Sequence, residues 1–199
     1  MKKWLIPLIV IAVIVFSIYK WAVGFNNTAV EHEANAKTAW SNVESSYQRR
    51  NDLIGNLIKT VQGAADFERT TLREVIEARA KATSTTIDAS NITAENIAQF
   101  QQAQSGLSGA LSKLLVSVER YPELKANQNF LELQSQLEGT ENRINVARDR
   151  YNEKVNIYDI YTTKFPGKIL AGWFGFEEMP RYKADAGSEN APDVEFDFD

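Results

Sequence analysis

The side chains that could do chemistry in this chain of 199 residues are few. There is one histidine, His32, and no cysteine, which excludes a thiol nucleophile, a disulfide framework and a Cys-ligated metal. A di-iron site in a helical bundle needs Glu-x-x-His pairs, and the residue three positions before His32 is Ala29. We therefore predict no metal-binding residues, and we expect His32 to be an exposed residue without a catalytic partner.

Two other sequence patterns resemble known binding or catalytic motifs. Gly106-Leu107-Ser108-Gly109 lies inside a helical pattern and not after a strand, so it predicts a close helix–helix approach and not a phosphate loop. Glu177-Glu178 follows an apolar segment and indicates a solvated pair of carboxylates, not a glycosidase dyad. No base is placed to activate a serine. The sequence thus predicts a protein that is not an enzyme, with no catalytic or cofactor-binding residues and no cofactor.

The formal net charge of -4 comes from the end of the chain. Six acids and no base follow Lys183, and they are Asp185, Glu189, Asp193, Glu195, Asp197 and Asp199. The remainder is nearly neutral, so a nucleic-acid partner is not expected. The composition of residues 184–199 predicts an acidic disordered tail. Its last residues, Val194–Asp199, alternate apolar and acidic side chains. An alternative to a plain tail is therefore a segment that binds a partner, either as an added strand or in a groove.

Residues 1–25 are predicted to form a transmembrane anchor. From Trp4 to Phe25 the only charge is Lys20, and a helix of about 20 residues spans the roughly 30 Å of a bilayer's hydrocarbon core. The alternative is a cleaved signal peptide, since Lys2 and Lys3 precede the apolar run and Ala22-Val23-Gly24 resembles a cleavage site. The length of the apolar run favours an uncleaved anchor in a single-pass cell-membrane protein.

The charges beside the anchor bear on its orientation. Lys2 and Lys3 lie on one side, whereas Lys20 is followed by Glu31 and Glu33 on the other. The positive-inside rule therefore favours a cytoplasmic N-terminus and an exported C-terminal domain.

Three amphipathic helices are expected to position the remaining side chains. The first stripe follows a seven-residue repeat: Ala36, Trp40, Val43, Tyr47, Arg50, Ile54, Leu57, Val61, Ala64, Glu68, Thr71, Val75, Ala78 and Ala82. The second is Ile97, Phe100, Gln104, Leu107, Leu111, Leu114 and Val118, with Thr93 as its N-cap and Pro122 beyond its end. The third is Phe130, Leu133, Leu137, Ile144, Ala147, Tyr151, Tyr158 and Phe165. Ile169–Phe176 is expected to cap the bundle.

These patterns predict an all-α fold. An N-terminal transmembrane helix is followed, over residues 26–183, by an antiparallel bundle of three long helices plus a short C-terminal helix.

Several charged residues lie where the stripes predict burial or a solvated face. Arg50 and Glu68 occupy stripe positions, so they either lie at the helix margin with their heads in water or pair across helices and set the register. Arg143, Arg148 and Arg150 alternate with acids, which indicates a solvated charged face or, alternatively, a face for an acidic partner.

Ordered sequence blocks resemble the LemA family over nearly the whole chain after the anchor. The blocks are Ala39-Trp40-Ser41-Asn42-Val43, Tyr47 to Leu57, Glu119 to Asn127, Asn129-Phe130, Ala147 to Asn152, Phe165-Pro166 and Gly175-Phe176. Relatives commonly carry proline where this chain has Gly55. The resemblance implies a bacterial protein with one N-terminal transmembrane helix, a helical bundle and an uncertain molecular function. It also implies a bundle on the inner side, against the charge rule.

Together these features predict a membrane-anchored, non-enzymatic scaffold or interaction module at the bacterial cell envelope. Its expected partners are the bilayer, through the N-terminal helix, and other membrane or envelope proteins. The broad apolar stripes are also compatible with a homo-oligomer, so the alternatives are a self-assembling membrane-shaping protein and, less favoured, an enzyme of unknown type.

Overall fold

The computed structural model describes residues 4–63 and 67–183. Within these ranges it contains helices and no strand: α1 (Leu5–Gln62), α2 (Arg69–Ser84), α3 (Ala94–Val118), α4 (Pro122–Lys125), α5 (Gln128–Thr163) and α6 (Gly167–Phe174). The predicted all-α bundle with an apolar N-terminal helix is therefore confirmed. The predicted acidic tail, residues 184–199, lies outside the described residues.

Helix α1 joins the apolar segment to the bundle without a break. It has 58 residues, which makes it about 87 Å long at ~1.5 Å per residue. Its first buried residue is Phe25, and no residue from Leu5 to Gly24 is buried. This stretch is long and apolar enough to cross a membrane and is fully unburied in the fold. The unburied length, about 30 Å, matches the hydrocarbon core of a bilayer.

The prediction of one unbroken helix from Ala36 to Ala82 is wrong. Helix α1 ends at Gln62, and α2 begins at Arg69 and folds back along α1. Gly63 caps α1 by donating its N–H to the carbonyl of Lys59. Helix α2 stops at Ser84, within the run Thr83-Ser84-Thr85-Thr86, whose short hydroxyl side chains compete for backbone hydrogen bonds.

Helices α3 and α5 complete the antiparallel bundle. Thr93 caps α3 as predicted, and its side chain forms a reciprocal capping box with Asn96. Helix α3 ends at Val118, and the single turn α4 begins at Pro122. Helix α5 then runs back along almost the whole bundle part of α1, which is its main packing partner.

The core is divided along the bundle axis. The far end, where α1, α2, α3 and α5 meet, is aliphatic and includes Ile54, Leu57, Leu107 and Leu114. The middle is aromatic: the ring of Trp40 lies edge-to-face against Phe100 and Tyr151 at 5.7 and 5.1 Å between centroids. The end nearest the apolar segment is a small cluster of Phe25, Ala29, Leu170 and Ala171.

Helix α6 only partly fulfils its predicted role as a cap. Gly167, Leu170 and Ala171 are buried against α1. Trp173 and Phe165 are instead 80% and 83% exposed, so Phe165 does not continue the buried stripe of α5. The predicted helix–helix approach at Gly106 and Gly109 is also wrong, because a Cβ at either position would meet no atom within 4 Å.

Candidate functional site

Arg50 is the most deeply buried charged side chain of the bundle among the described residues. Its side chain is 5% exposed and pairs with Glu141 of α5, with Nη1 3.1 Å from Oε2. Nη2 donates to the backbone carbonyl of Gln104 on α3 at 3.0 Å and to its Oε1 at 3.3 Å. The Gln104 side chain in turn donates to the Ala82 carbonyl of α2. Arg50 thus ties together all four bundle helices, which confirms the hypothesis of pairing across helices.

Glu68, the other charged stripe residue, behaves differently. It precedes α2, its side chain is 43% exposed, and it pairs with Arg120 at 2.8 Å. Such exposed pairs contribute about 0 to 1 kcal/mol, so this contact adds little to register.

A segment after α6, which we call the C-terminal strap (residues 175–183), lies along α5 and reaches the aromatic middle of the core. Tyr158 and Tyr151 donate their hydroxyl protons to the carbonyls of Glu177 and Pro180, at 2.8 and 2.7 Å. The Asn152 side chain makes a reciprocal pair with the Tyr182 backbone, at 2.9 Å in both directions. The strap is therefore attached mainly through its backbone.

Tyr182 anchors the strap in the core. It is buried, its hydroxyl lies 2.8 Å from that of Tyr47, and the guanidinium of Arg148 lies 4.0 Å from its ring centroid. Arg148 therefore contacts the core through Tyr182, which corrects the prediction of a solvated face at this position. Arg143 and Arg150 remain exposed.

Tyr47, Tyr151 and Tyr158 are held in their protonated form. Burial raises the pKa of Tyr47 and of Tyr151, and it raises the pKa of Tyr158 to about 12. A neutral hydroxyl that donates to a carbonyl suits a structural role. A catalytic base would instead need a pKa near the working pH.

The other candidate residues of the sequence lie apart from one another. His32 is half-buried and not exposed as expected, with its ring edge-to-face against Tyr161 at 5.3 Å. Glu177 and Glu178 are both exposed. Within residues 4–63 and 67–183, no three His, Asp or Glu side chains are grouped so that they could hold a metal ion.

Two grooves of the described surface lie between α1 and α5. The α1–α5 groove, on the outer side of these helices, has a volume of about 510 Å³ and is lined by Ala39, Asn42, Ser46, Asn142, Arg143, Val146, Ala147 and Arg150. A second groove, of about 470 Å³, lies where the apolar segment enters the bundle and includes Trp21, Phe25, His32, Lys164 and Phe165. Sequence periodicity missed both grooves, because each combines residues of helices that are distant in the chain.

Comparison with known proteins places the fold in a family. The pattern of the LemA family matches residues 39–196. The chain is 26% identical to Magnetosome protein MamQ 1 of Paramagnetospirillum magneticum, over 79% of this chain and 64% of the relative. It is 22% identical to Protein LemA of Metamycoplasma hominis, over 76% of this chain and 62% of the relative. The chain thus matches less than two thirds of the length of these relatives. The protein belongs to the LemA family.

Proposed function

We propose that this protein is a membrane-anchored, non-enzymatic scaffold or interaction module of the bacterial cell envelope. The observation that carries the proposal is the continuity of α1, in which the same helix supplies the unburied apolar segment and the bundle core. Such a helix presents the bundle at a fixed distance from the bilayer and without a flexible linker.

The engagement of polar groups inside the bundle supports an interaction role over an enzymatic one. Arg50 and the tyrosines Tyr47, Tyr151 and Tyr158 make contacts that hold helices or the strap together. Reactive groups of an enzyme usually face an open cleft and have pKa values tuned to the reaction.

The α1–α5 groove is the surface that we assign to a protein partner. Arg143 and Arg150 are exposed beside Val146, which is 48% exposed. This combination of an apolar centre and basic rim suits an acidic segment of another membrane or envelope protein.

A photo-crosslinking amino acid at Val146 in the full-length protein tests this assignment. We expect a discrete adduct with another membrane protein that is lost in an Arg143→Glu/Arg150→Glu variant. The matched control is Arg69→Glu/Arg73→Glu, which reverses two exposed arginines of α2. Adducts with lipid and with the protein itself only, or equal loss in both variants, would contradict the proposal.

The side of the membrane decides which partners are available. The charge rule favours an exported bundle, and the chain's lack of cysteine makes labelling specific. With a single cysteine at Ser188, labelling of intact cells by an impermeant maleimide is the expected result. Labelling only after permeabilisation would place the bundle in the cytoplasm.

Self-assembly is the second candidate function. Val146, Ile157 and Ile160 of α5 are 48%, 38% and 42% exposed, and a second copy of the chain could cover them. A monomeric mass in mild detergent across a range of concentrations would rule this candidate out.

A further inference from the structure

The exposed apolar side of α6 is the least expected surface of the described fold. Phe165, Ile169, Trp173 and Phe174 are 83%, 50%, 80% and 46% exposed. Ile169 and Trp173 are four residues apart and therefore lie on one face of the helix. The opposite face, Gly167, Leu170 and Ala171, is buried. Exposing the aromatic side of a short amphipathic helix to water costs free energy, and such a patch often marks a binding surface. The position of α6 in the fold indicates what this surface binds.

That position is the point where α1 leaves its apolar segment. A Cβ on Gly167 would lie 2.7 Å from the ring of Phe25, the first buried residue of α1. Leu170 and Ala171 pack in the same cluster as Phe25 and Ala29, with Ala22 at its edge. Helix α6 therefore lies level with the end of the unburied stretch, where a bilayer's hydrocarbon core gives way to headgroups.

The charges around this surface fit a bilayer surface. Lys164 and Lys168 are exposed on either side of Phe165 in the chain, and the exposed acids Glu177 and Glu178 lie beyond the end of α6. Basic residues beside a membrane are attracted to anionic headgroups, by about 1 kcal/mol each. Tryptophan is enriched at the membrane–water interface, because its ring is apolar and its N–H is polar.

We propose that α6, together with Phe165, forms a second membrane contact that inserts into the interfacial region of the bilayer beside the anchor. The occupant of this surface is phospholipid, because the surface continues the apolar face of α1. The anchor alone leaves the bundle free to tilt and rotate. A second contact on one side fixes both, and it decides which way the α1–α5 groove faces. The inference rests on the membrane anchoring of the proposed function.

Nitroxide labels at single cysteines in the full-length protein test the proposal. The protein is reconstituted in vesicles of phosphatidylcholine and phosphatidylglycerol, and the accessibility of each label to oxygen and to a water-soluble nickel chelate is measured by electron paramagnetic resonance. The label positions are Trp173→Cys and Phe165→Cys on the proposed contact, Val13→Cys within the anchor and Val116→Cys as a control. Val116 is a matched control because it is 73% exposed but lies near the far end of α3.

The expected result is that labels at 173 and 165 favour oxygen over the nickel chelate, as the label at 13 does, while the label at 116 favours the chelate. The second contact is refuted, and the anchor retained, if the labels at positions 173 and 165 favour the nickel chelate as the label at 116 does while the label at 13 favours oxygen. If 13 also reports water, the anchoring itself fails.

A second measurement uses the protein's own tryptophans and needs no spin label. Brominated lipids quench tryptophan at the interface, so Trp173→Phe should reduce the quenched fraction of the protein's fluorescence. An unchanged or increased quenched fraction would overturn the proposal.

Discussion

The hydroxyl of Tyr47 on α1 lies 2.8 Å from the hydroxyl of Tyr182 on the C-terminal strap, although 135 positions separate them in the chain. This contact joins the helix that continues into the apolar segment to the last described part of the chain. It closes the aromatic middle of the core, where Trp40 and Phe100 also pack. The strap therefore contributes to the fold, and its loss should be measurable.

Replacing Tyr182 tests this contact. Tyr182→Phe leaves the buried Tyr47 hydroxyl without its partner, which should lower the free energy of unfolding by about 1 to 3 kcal/mol. Tyr47→Phe/Tyr182→Phe removes both hydroxyls and should recover part of the loss. Denaturant unfolding followed by circular dichroism gives the coupling energy. Strict additivity of the two single changes would show that the hydroxyls do not interact.

Arg50→Ala should be strongly destabilising. It removes the side chain that connects Glu141 and Gln104 and leaves a cavity among four helices, with an expected cost of about 2 to 4 kcal/mol from lost packing and hydrogen bonds. Lys113→Ala, in the exposed pair with Glu74, is the control and should cost about 0 to 1 kcal/mol. If thermal unfolding shows the same loss of stability for Arg50→Ala and Lys113→Ala, the contacts of Arg50 do not hold the bundle together.

Gly55 accommodates a long side chain from the neighbouring helix. A Cβ at this position would lie 2.9 Å from Nη2 of Arg79, whose Nε donates to the Asn51 carbonyl at 2.7 Å. Gly55→Ala should therefore be neutral or destabilising, although alanine favours a helix by about 1 kcal/mol. Gly109→Ala, in open space on α3, should instead stabilise the protein. A comparable gain from both changes in denaturant unfolding would contradict the close contact.

Gly167 is needed for α6 to dock on α1. A Cβ there would lie 2.7 Å from the Phe25 ring and 3.0 Å from the backbone oxygen of Tyr161. Gly167→Ala should lift α6 and speed hydrogen exchange of its amides. Gly172→Ala in the same helix meets no atom within 4 Å and should leave exchange unchanged or slower. The same exchange rates in both variants would disprove the tight approach.

Alkaline pH should destabilise the bundle. The folded-state pKa of Tyr47, Tyr151 and Tyr158 is raised, for Tyr158 to about 12, because burial disfavours the tyrosinate. Their contribution is complete below the unfolded pKa of about 10 and is lost as pH rises through the folded pKa values. Denaturant midpoints should therefore fall above about pH 10, and less steeply in Tyr151→Phe. An identical slope in that variant would exclude Tyr151 from the effect.

Much of the fold follows from local sequence. The stripes of α3 and α5 predict buried positions because an amphipathic helix must bury its apolar face, and Thr93 and Pro122 mark helix ends by their own backbone chemistry. The apolar segment from Trp4 to Phe25 is recognisable from composition alone. The sequence also predicts that Arg50 needs a partner, because it is a charged residue within an apolar stripe. The stripe does not identify that partner.

The tertiary structure decided what local patterns do not encode. The seven-residue spacing continues in phase across Gly63, so periodicity does not reveal that the chain reverses between α1 and α2. The C-terminal strap has no periodicity because its backbone groups bond to Tyr151, Asn152 and Tyr158. An apolar side chain packs only where a neighbour lies opposite, and Phe25 of α1 determines which face of α6 is buried and leaves Trp173 outside.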